Sequence, residues 1–449
     1  RNINSEEIKV FLKNIKKTAP GPDGLNYEVY KLLWDQIGTD MLASWEYSNT
    51  TGKLSDLQRR STITLLEKKG KDKKLLKNLR PISLTNCDIK IMSKILAKRL
   101  NKILDKIIHP TQKAYISGRN VHDNLRYVEL WKKYCEDKNL NGLIVSLDAK
   151  KAFDSVDHNY MFAVLKAYGF DNTFIDTIKL FYNKLESNIM VNGYTTKCFD
   201  IEQCVKQGDA LSCGLFILCT DPFIRRIHNN PIIKTIAIRN PYNGNLAEDK
   251  SREFADDFAM MLLNDNSSLQ EVFKEYERFS NVSGIFLNAE KTEILNTKNV
   301  KEKYKISYGG ENITIENVDS MKICGKTYSN NNTVETNANI VEKIKKLENQ
   351  LVIWLQRGLT MEGKINIIKT FGISQVLYFM QNTYFDVKYL NEIERLIFKF
   401  IWSKGKWCKH PVERIKRSIL KNDYQYGGLK APDIFAIDNS LKSANLIKI

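Results

Sequence analysis

The chain has 449 residues, and its 69 Lys and Arg against 52 Asp and Glu give a formal net charge of +17. Hydrophobic residues make up 43% and aromatic residues 10%, which excludes a disordered or low-complexity protein because such chains cannot bury enough apolar surface. The length predicts more than one domain, and the positive excess favours a polyanionic partner, nucleic acid first and an acidic membrane surface second.

No stretch of the sequence reaches the roughly 18 uninterrupted apolar residues of a membrane span, and residues 1–4 contain no apolar signal core. We therefore expect a soluble, intracellular protein without a membrane partner. Because the first residue is Arg1 rather than Met, we also expect a piece of a longer reading frame or a processed product. The eight cysteines form no CxxC pair and have no His at zinc-ligand spacing, which predicts reduced thiols and no zinc knuckle.

The first 84 residues alternate between helical patterns, turn residues and strand patterns. Their predicted elements are a helix over 5–17, a loop over 19–24, a helical stretch over 27–45, a strand over 61–66, a lysine-rich turn over 68–74 and a strand-like segment over 79–84. The last segment carries Arg80 near its start.

Residues 87–108 have apolar side chains at helical period and predict a long amphipathic helix. Its other face has a lysine at every fourth position: Lys90, Lys94, Lys98, Lys102 and Lys106. A four-residue step keeps these lysines on one side of the helix. The stripe is either a solvated face or a face that tracks phosphates, and the charge of the whole chain favours the second interpretation.

Two later segments place carboxylates at strand ends. The apolar run 143–148 predicts a buried strand that ends at Asp148, and two apolar runs separated by Asp256 and Asp257 predict a hairpin with both carboxylates at its tip. Since neighbouring side chains of a strand point to opposite faces, these two residues should have unequal roles. Carboxylates on neighbouring strands can hold two divalent cations about 4 Å apart, although an isolated Asp-Asp pair is weak support.

The C-terminal part contains helical patterns and no strand pattern. Apolar spacing predicts helices at about 340–354, 361–382 and 388–402, and together they predict a separate helical bundle.

Six short segments occur in a fixed order along the chain. They are Ala19-Pro20-Gly21-Pro22-Asp23-Gly24, Leu79-Arg80-Pro81-Ile82-Ser83-Leu84, His109-Pro110-Thr111-Gln112 with Gly118-Arg119, Ser146-Leu147-Asp148 with Ala152-Phe153-Asp154, Gln207-Gly208-Asp209 with Leu211-Ser212, and Phe254-Ala255-Asp256-Asp257. This set closely resembles the reverse transcriptase region of non-LTR (LINE-type) retrotransposons, over about residues 15–435. The segment Gly427-Gly428-Leu429 also resembles the part that follows the thumb in such elements.

The resemblance implies an α+β right-hand polymerase with fingers, an antiparallel-sheet palm and an all-α thumb. It divides the chain into an N-terminal extension with the Pro-Gly-Pro-Asp-Gly loop (1–60), fingers (61–141), a palm with part of the fingers (142–334), a helical thumb (335–402) and the start of a post-thumb segment (403–449).

The same resemblance implies a role for individual residues. Asp148 and Asp256, with the backbone carbonyl of Ala149, would hold two Mg²⁺ ions, with Mn²⁺ as an alternative ion, and Asp257 would support catalysis. The residues expected at the incoming dNTP are Lys69, Arg80, Phe153, Gln207 and Gly208. Those expected to touch template or primer are Gln112, Arg119, Lys94, Lys98 and Lys102, although Gln112 and Arg119 could instead shape the fingers. Gly284, Asn288 and Lys291 match the palm segment after the Asp-Asp hairpin.

The resemblance also implies a role for Phe153, which matches the family's aromatic position five residues beyond the first Asp, where a ring packs under the sugar, clashes with a 2′-hydroxyl and so favours deoxynucleotides. The implied activity is RNA-directed DNA synthesis from an RNA template, a DNA primer or target DNA, and dNTPs, in a ribonucleoprotein of cytoplasm and nucleus. A polymerase that makes RNA is a weaker alternative. A catalytically inactive remnant that only binds nucleic acid is an alternative of another class. The oligomeric state stays open.

One motif departs from the pattern of these elements. Where they commonly have Arg-Gln-Gly followed by Pro-Leu-Ser-Pro, this chain has Lys206-Gln207-Gly208-Asp209-Ala210-Leu211-Ser212-Cys213. Both prolines are missing, so a looser loop is expected before the next helix. Lys206 keeps the charge of Arg but loses its fork geometry.

Overall fold

The computed structural model describes residues 3–68, 70–239, 246–298 and 300–446. These residues form two compact units. The first comprises the described residues of Arg1–Asn124, Asn141–Ile294 and Glu302–Glu316, and the second those of Leu125–Leu140, Leu295–Lys301 and Asn317–Ile449. Among the described residues, no helix has both the length and the apolar character needed to cross a membrane.

Helices of the first unit precede and follow its strands. They are α1 (Ser5–Lys13), α2 (Tyr27–Leu32), α3 (Trp34–Thr51), α4 (Asp56–Arg59), α5 (Cys87–Ile107), α6 (Val121–Asp137, continuing into the second unit), α7 (His158–Ala167), α8 (Asn172–Tyr182), α9 (Ala210–Asn229) and α10 (Asn266–Ser283). The predicted long helix over 87–108 is therefore confirmed as α5. The stretch predicted over 27–45 is two helices, because the chain leaves helical geometry at Leu33 and α3 then runs on to Thr51, where Gly52 caps it in a left-handed conformation.

The strands form one mixed sheet, one antiparallel sheet and several hairpins. They are β1 (Arg60–Glu67), β2 (Leu79–Thr85), β3 (Gly142–Asp148), β4 (Leu185–Val191), β5 (Tyr194–Thr195), β6 (Phe199–Ile201), β7 (Ile238–Arg239), β8 (Leu246–Ala247), β9 (Ser251–Phe254), β10 (Asp257–Leu263), β11 (Glu293–Asn296), β12 (Lys303–Tyr308), β13 (Glu311–Glu316), β14 (Ser320–Ile323) and β15 (Lys326–Ser329). One sheet has the order β2-β1-β4-β5 with β6 beside β4, and the other has the order β11-β3-β10-β9.

Helices α5 and α9 pack closely in the core of the first unit. Gly214 of α9 has no side chain, and a Cβ there would lie 2.8 Å from Leu100 Cδ2 of α5, so a larger residue would require the Leu100 side chain to move. Leu100 and Leu104 of α5 are almost completely buried. Burial of one such side chain contributes about 2–3 kcal/mol to folding. The pair of helices thereby supports the β3–β10 sheet from one side of the same core.

The loop over 19–24 is fastened to the start of α5. Gly21 lies against Asn86, whose Oδ1 would be only 2.3 Å from a Cβ at that position. The same Oδ1 accepts from Asp23 N at 3.3 Å, and Lys90 Nζ donates to the carbonyl of Ala19 at 2.8 Å. The turn predicted from Pro and Gly residues thus has a fixed place on the first unit.

The second unit contains the helices of the C-terminal half and the β14–β15 hairpin. The helices are α11 (Asn332–Thr336), α12 (Glu342–Leu355), α13 (Met361–Ile367), α14 (Ser374–Asn382), α15 (Val387–Trp402), α16 (Arg417–Lys421) and α17 (Ile434–Leu446). Lys326 is a completely buried lysine of this unit, and its Nζ lies 2.6 Å from Glu129 Oε2 and donates to the carbonyl of Asn382 at 2.7 Å. These contacts compensate the cost of burying an ammonium group.

Glu253 on β9 is a completely buried carboxylate of the first unit. Among the described residues, neither of its oxygens has a hydrogen-bond partner of normal geometry. The hydroxyls of Ser251 and Thr111 lie nearby and lower the pKa of Glu253, but burial has the larger effect. Burial therefore raises the pKa of Glu253 to about 7.

We predict that Glu253→Gln stabilises the protein at neutral pH. The folded protein favours the neutral carboxyl of Glu253. The stabilisation that this carboxyl gives to the folded state is therefore fully present below its ordinary pKa of 4.5 and is lost as the pH rises to about 7. The stability of the variant relative to wild type should rise over this window by at most about 3 kcal/mol and stay constant above it. Urea unfolding at several pH values measures this difference, and a difference independent of pH would contradict the prediction.

Glu275→Gln is a matched control for which we expect the opposite change in folding stability. Burial raises the pKa of Glu275, but the hydrogen bonds and charges of Arg226, Arg278 and Asn230 together outweigh burial, and the net shift is downward. Removing this carboxylate should therefore destabilise the protein above the ordinary pKa of Glu and matter less in acid.

Candidate active site

A cavity of about 1000 Å³ opens in the first unit, where β2, the end of β3, the loop before α9 and the β9–β10 turn meet. Several residues singled out in the sequence line it: Arg80, Asp148, Ala149, Phe153, Gln207, Gly208, Asp256, Asn288 and Lys291. These residues come from segments separated by up to about two hundred positions, so the fold brings the ordered motifs to one place.

The two sheet-end carboxylates lie on neighbouring strands. β3 and β10 are antiparallel with Asp148 opposite Asp257, and Asp256 occupies the turn between β9 and β10. Asp256 lines the cavity, whereas Asp257 is not among its lining residues. Burial raises the pKa of Asp256, and the nearby charge of Asp148 raises it further. Two carboxylates that repel one another in this way are suited to share a cation.

Two residues of the segment after α10 hold Asp148. Asn288 Nδ2 donates to Asp148 Oδ2 at 3.0 Å, and Lys291 Nζ lies 3.2 Å from the same oxygen. The backbone N–H of Asn288 also donates to the Asp148 carbonyl at 2.8 Å. Gly284 lets this segment approach, since a Cβ there would lie 2.3 Å from the Ser155 carbonyl oxygen.

Phe153 forms part of the cavity wall. Its ring stacks on Phe216 of α9 with centroids 4.4 Å apart and planes 12° from parallel. Its carbonyl accepts from Val205 N at 2.7 Å. Ring and backbone are thus both fixed, and the ring presents a rigid apolar edge to whatever enters the cavity.

The loop before α9 is fastened at several points. Gln207 donates through Nε2 to Asp154 Oδ1 at 3.0 Å, and its carbonyl accepts from Ser83 N of β2 at 3.0 Å. Gly208 has φ +102°, and a Cβ there would lie 3.3 Å from Ile82 Cγ2, so a side chain would be both strained and crowded.

Polar contacts hold this loop although both prolines are missing. Asp209, which precedes Ala210 at the position of the first missing proline, accepts a hydrogen bond from Ser93 Oγ of α5. Lys206 is buried beside it, and burial lowers the pKa of Lys206 and raises that of Asp209. A polar pair and a hydroxyl thus tie the start of α9 to α5, where a looser loop was expected.

Of the two fingers cations predicted to bind the dNTP, the structure describes only Arg80. Arg80 is exposed on β2, opposite Leu66 of β1, and lines the cavity. Lys69 lies outside the described residues, so its predicted role stays a prediction. Its neighbour Lys68 lines the cavity.

The residues predicted at template or primer fall into two groups. Gln112 has no exposed surface, and Arg119 donates to the carbonyls of Ile108, His109 and Gln112 at 2.7–3.0 Å. Of the two roles considered for this pair, their contacts are those of residues that shape the structure. Arg119 in this way satisfies carbonyls at and after the end of α5.

The lysine stripe of α5 is also divided. Lys90 is buried and bonded to the Ala19 carbonyl, and Lys94 lies 5.1 Å from the centre of the Tyr27 ring. Burial lowers the pKa of both amines. Lys98, Lys102 and Lys106 are exposed. Only the C-terminal part of the stripe is therefore accessible to phosphates.

The sequence analysis missed Tyr115. Its ring lines the cavity with Asp256, and its backbone has φ +58°, which is unusual for an aromatic residue. Burial, with further help from the charges of Cys213 and Asp256, raises the pKa of Tyr115 to about 12. No periodicity marks this residue, because a left-handed conformation within a loop leaves no signal in residue spacing.

With this geometry in place, comparison with known proteins identifies the family. The model of the family described as reverse transcriptase (RNA-dependent DNA polymerase) matches residues 66–323, more than half of the chain. The chain belongs to the reverse transcriptase family. The right-hand polymerase fold of the α+β class, predicted from the ordered motifs, is thereby confirmed.

Relatives of this reverse transcriptase come from transposable elements. The Transposon TX1 uncharacterized 149 kDa protein of Xenopus laevis is 27% identical over 402 residues, which cover 88% of this chain and 30% of that protein. The Retrovirus-related Pol polyprotein from type-1 retrotransposable element R2 of Popillia japonica is 30% identical over 301 residues, 65% of this chain and 39% of that protein. The predicted kinship with the reverse transcriptase region of non-LTR retrotransposons is confirmed.

The chain spans only about a third of the length of these relatives. Among solved structures, a telomerase from Candida tropicalis in complex with a fragment of telomeric RNA matches with a TM-score of 0.43 and 11% identity, over 83% of this chain and 58% of that chain.

Reverse transcriptases generally use divalent metal ions. The donor set of this one fits such an ion, because the two carboxylates supply hard oxygen ligands and the charge of Asp148 raises the pKa of Asp256 in addition to burial. Within the described part of the chain, no group of three His, Cys, Asp or Glu side chains is placed to hold a metal. Asp148 and Asp256 are carboxylates of this cavity that could hold one.

Proposed function

We propose that this reverse transcriptase extends the 3′-end of a DNA primer on an RNA template with dNTPs, by nucleotidyl transfer supported by two Mg²⁺ ions, with Mn²⁺ as an alternative. The observation that carries the proposal is the meeting of Asp148 and Asp256 in one large cavity with Arg80 and Phe153. Nucleotidyl transfer needs oxygen ligands for the metal ions and a cation for the triphosphate, and this cavity offers both.

Each residue of the cavity would have a separate role in the reaction. Asp148 and Asp256 would hold the ions together with the Ala149 carbonyl, and the ions would lower the barrier by neutralising charge on the reacting oxygens. Arg80 would bind the triphosphate, since its guanidinium offers paired donors to phosphate oxygens. Gln207 and Gly208 would border the nascent base pair.

Phe153 would exclude nucleotides that carry a 2′-hydroxyl. Asn288 and Lys291 keep the carboxylate of Asp148 oriented, and Lys291 provides a positive charge beside it. Asp257 would support the turn from outside the cavity. Catalysis in this arrangement is mostly positioning and charge neutralisation.

The domain plan follows from the same family resemblance. We infer an N-terminal extension over 1–60, fingers over 61–141, a palm with part of the fingers over 142–334, a thumb over 335–402 and the start of a post-thumb segment over 403–449. We also infer that the protein works as a ribonucleoprotein in cytoplasm and nucleus.

Primer extension by the purified chain tests the activity. The assay offers an RNA template, a DNA primer and Mg²⁺, and compares dNTPs with NTPs. Extension with dNTPs supports the proposal. Tight duplex binding without any extension, in Mg²⁺ or Mn²⁺, would instead support the alternative of an inactive remnant that only binds nucleic acid.

The exposed lysines of α5 give a prediction about template binding. Replacing Lys98 and Lys102 with Gln should lower the slope of log affinity against log salt by about two, because each neutralised phosphate contributes about one unit. The measurement is a salt titration of RNA–DNA duplex binding. Lys166→Gln with Lys179→Gln is a matched control, since both lysines are exposed on other helices of the same unit. Equal slopes for the two double variants would refute the role of the stripe.

A further inference from the structure

The turn that carries Asp256 has a strained backbone. Ala255, the residue before it, is buried and has φ +59°. This left-handed conformation costs a residue with a side chain about 1–2 kcal/mol. Such a conformation persists only where the surrounding structure fixes it. The position of the Asp256 carboxylate therefore depends on what holds Ala255.

The side chain of Gln112 holds both polar backbone groups of Ala255. Ala255 N donates to Gln112 Oε1 at 3.1 Å, and Gln112 Nε2 donates to the Ala255 carbonyl at 3.3 Å. Gln112 Oε1 also accepts from Ala114 N at 2.9 Å. The amide group thus pairs with the turn as a neighbouring strand would, at the point where the β9 ladder ends.

Gln112 is itself fixed by its surroundings. Residues 111–113 run parallel to β9 and form a bridge at Glu253, with Lys113 N donating to the Glu253 carbonyl at 3.0 Å. Arg119 Nη1 donates to the carbonyl of Gln112 at 2.9 Å. The side chain of Gln112 is completely buried, so it has no freedom to leave the turn.

We propose that Gln112 is a positioning residue that sets the carboxylate of Asp256 for catalysis. This inference rests on the proposed polymerase function. Gln112 does not touch the cavity, and it acts only through the Ala255 peptide groups. A displacement of a catalytic group by about 1 Å costs about a hundredfold in rate, so loosening this turn should be visible in kcat.

Gln112→Met tests the proposal, because Met keeps the volume of the side chain and removes its hydrogen bonds. Its matched control is Asn124→Leu. Asn124 is also buried, and its Nδ2 donates to the Glu253 carbonyl of the same strand at 2.7 Å, away from the turn. We expect Gln112→Met to lower kcat for dNTP addition by about 30- to 100-fold with little change in KM or in duplex affinity, and Asn124→Leu to lower kcat less than about threefold.

Two further readouts separate positioning from a general loss of structure. Hydrogen exchange at the Ala255 amide should accelerate in Gln112→Met and not in Asn124→Leu. Ala255→Gly should reduce the effect of Gln112→Met on kcat to less than about tenfold, because glycine adopts positive φ without the steric cost. If Gln112→Met alone is unstable, the double variant with Ala255→Gly can be compared with Ala255→Gly instead.

Equal kcat values for Gln112→Met and Asn124→Leu, or unchanged exchange at Ala255, would overturn the positioning role. A wild-type chain that does not extend primers would overturn the proposed function instead. In that case hydrogen exchange still tests whether Gln112 holds the turn.

Discussion

Asp256→Ala is expected to reduce primer extension by about a thousandfold or more, equivalent to about 4 kcal/mol of activation free energy. The carboxylate lies in the cavity beside Asp148, and burial with the charge of that neighbour raises the pKa of Asp256. Removing it takes away one of the two carboxylates proposed to hold a divalent ion there. Duplex binding should persist, because the basic surface is unchanged.

Asp256→Asn refines this result, since the amide keeps the shape of the side chain and removes its charge. We expect the same loss of extension, which single-turnover kinetics on a preformed duplex complex would measure. Asp176→Asn is the matched control, because Asp176 is an exposed carboxylate of α8, outside the motifs of the cavity, that pairs with Lys179. Substantial extension by Asp256→Asn would contradict a metal-holding role.

Phe153→Val should lower the preference for dNTPs over NTPs by about a hundredfold. The ring is held by its stacking on Phe216 and by the hydrogen bond from Val205 N to its carbonyl, so it cannot move aside for a 2′-hydroxyl. A smaller side chain leaves that space open. The ratio of kcat/KM for matched dNTP and NTP pairs measures the change.

Phe162→Val is the control for the aromatic substitution. Phe162 lies on α7 and is not among the residues lining the cavity. It should leave nucleotide preference unchanged. If Phe153→Val also kept the wild-type preference while extension continued, exclusion of ribonucleotides would have to come from another residue.

Much of the site followed from local sequence patterns. The apolar run before Asp148 and the paired runs around Asp256 predict strands, because a short apolar run that ends at turn or polar residues is typical of a buried strand. The long helix α5 followed from its apolar period in the same way. Motif order then indicated that these distant segments meet, and the family match confirmed the kinship.

The inequality of Asp256 and Asp257 was also accessible from the sequence. Adjacent residues at a strand end point to different sides, and only Asp256 lines the cavity. By contrast, the structure does not show the looser loop that was expected before α9. Asp209 meets Ser93 there, a contact between residues more than a hundred positions apart.

The sequence by itself determined the long helix α5, the strands beside Asp148 and Asp256, the two carboxylates and the family, because these depend on periodicity and on motifs of a few residues. Only the tertiary structure decided what the long polar side chains do. Gln112 and Arg119 turned out to bind backbone groups within the protein, and Lys90 and Lys94 turned out to be covered by the N-terminal segment. The physical reason is that the burial of a flexible polar side chain depends on which distant carbonyls and rings the fold brings within its reach.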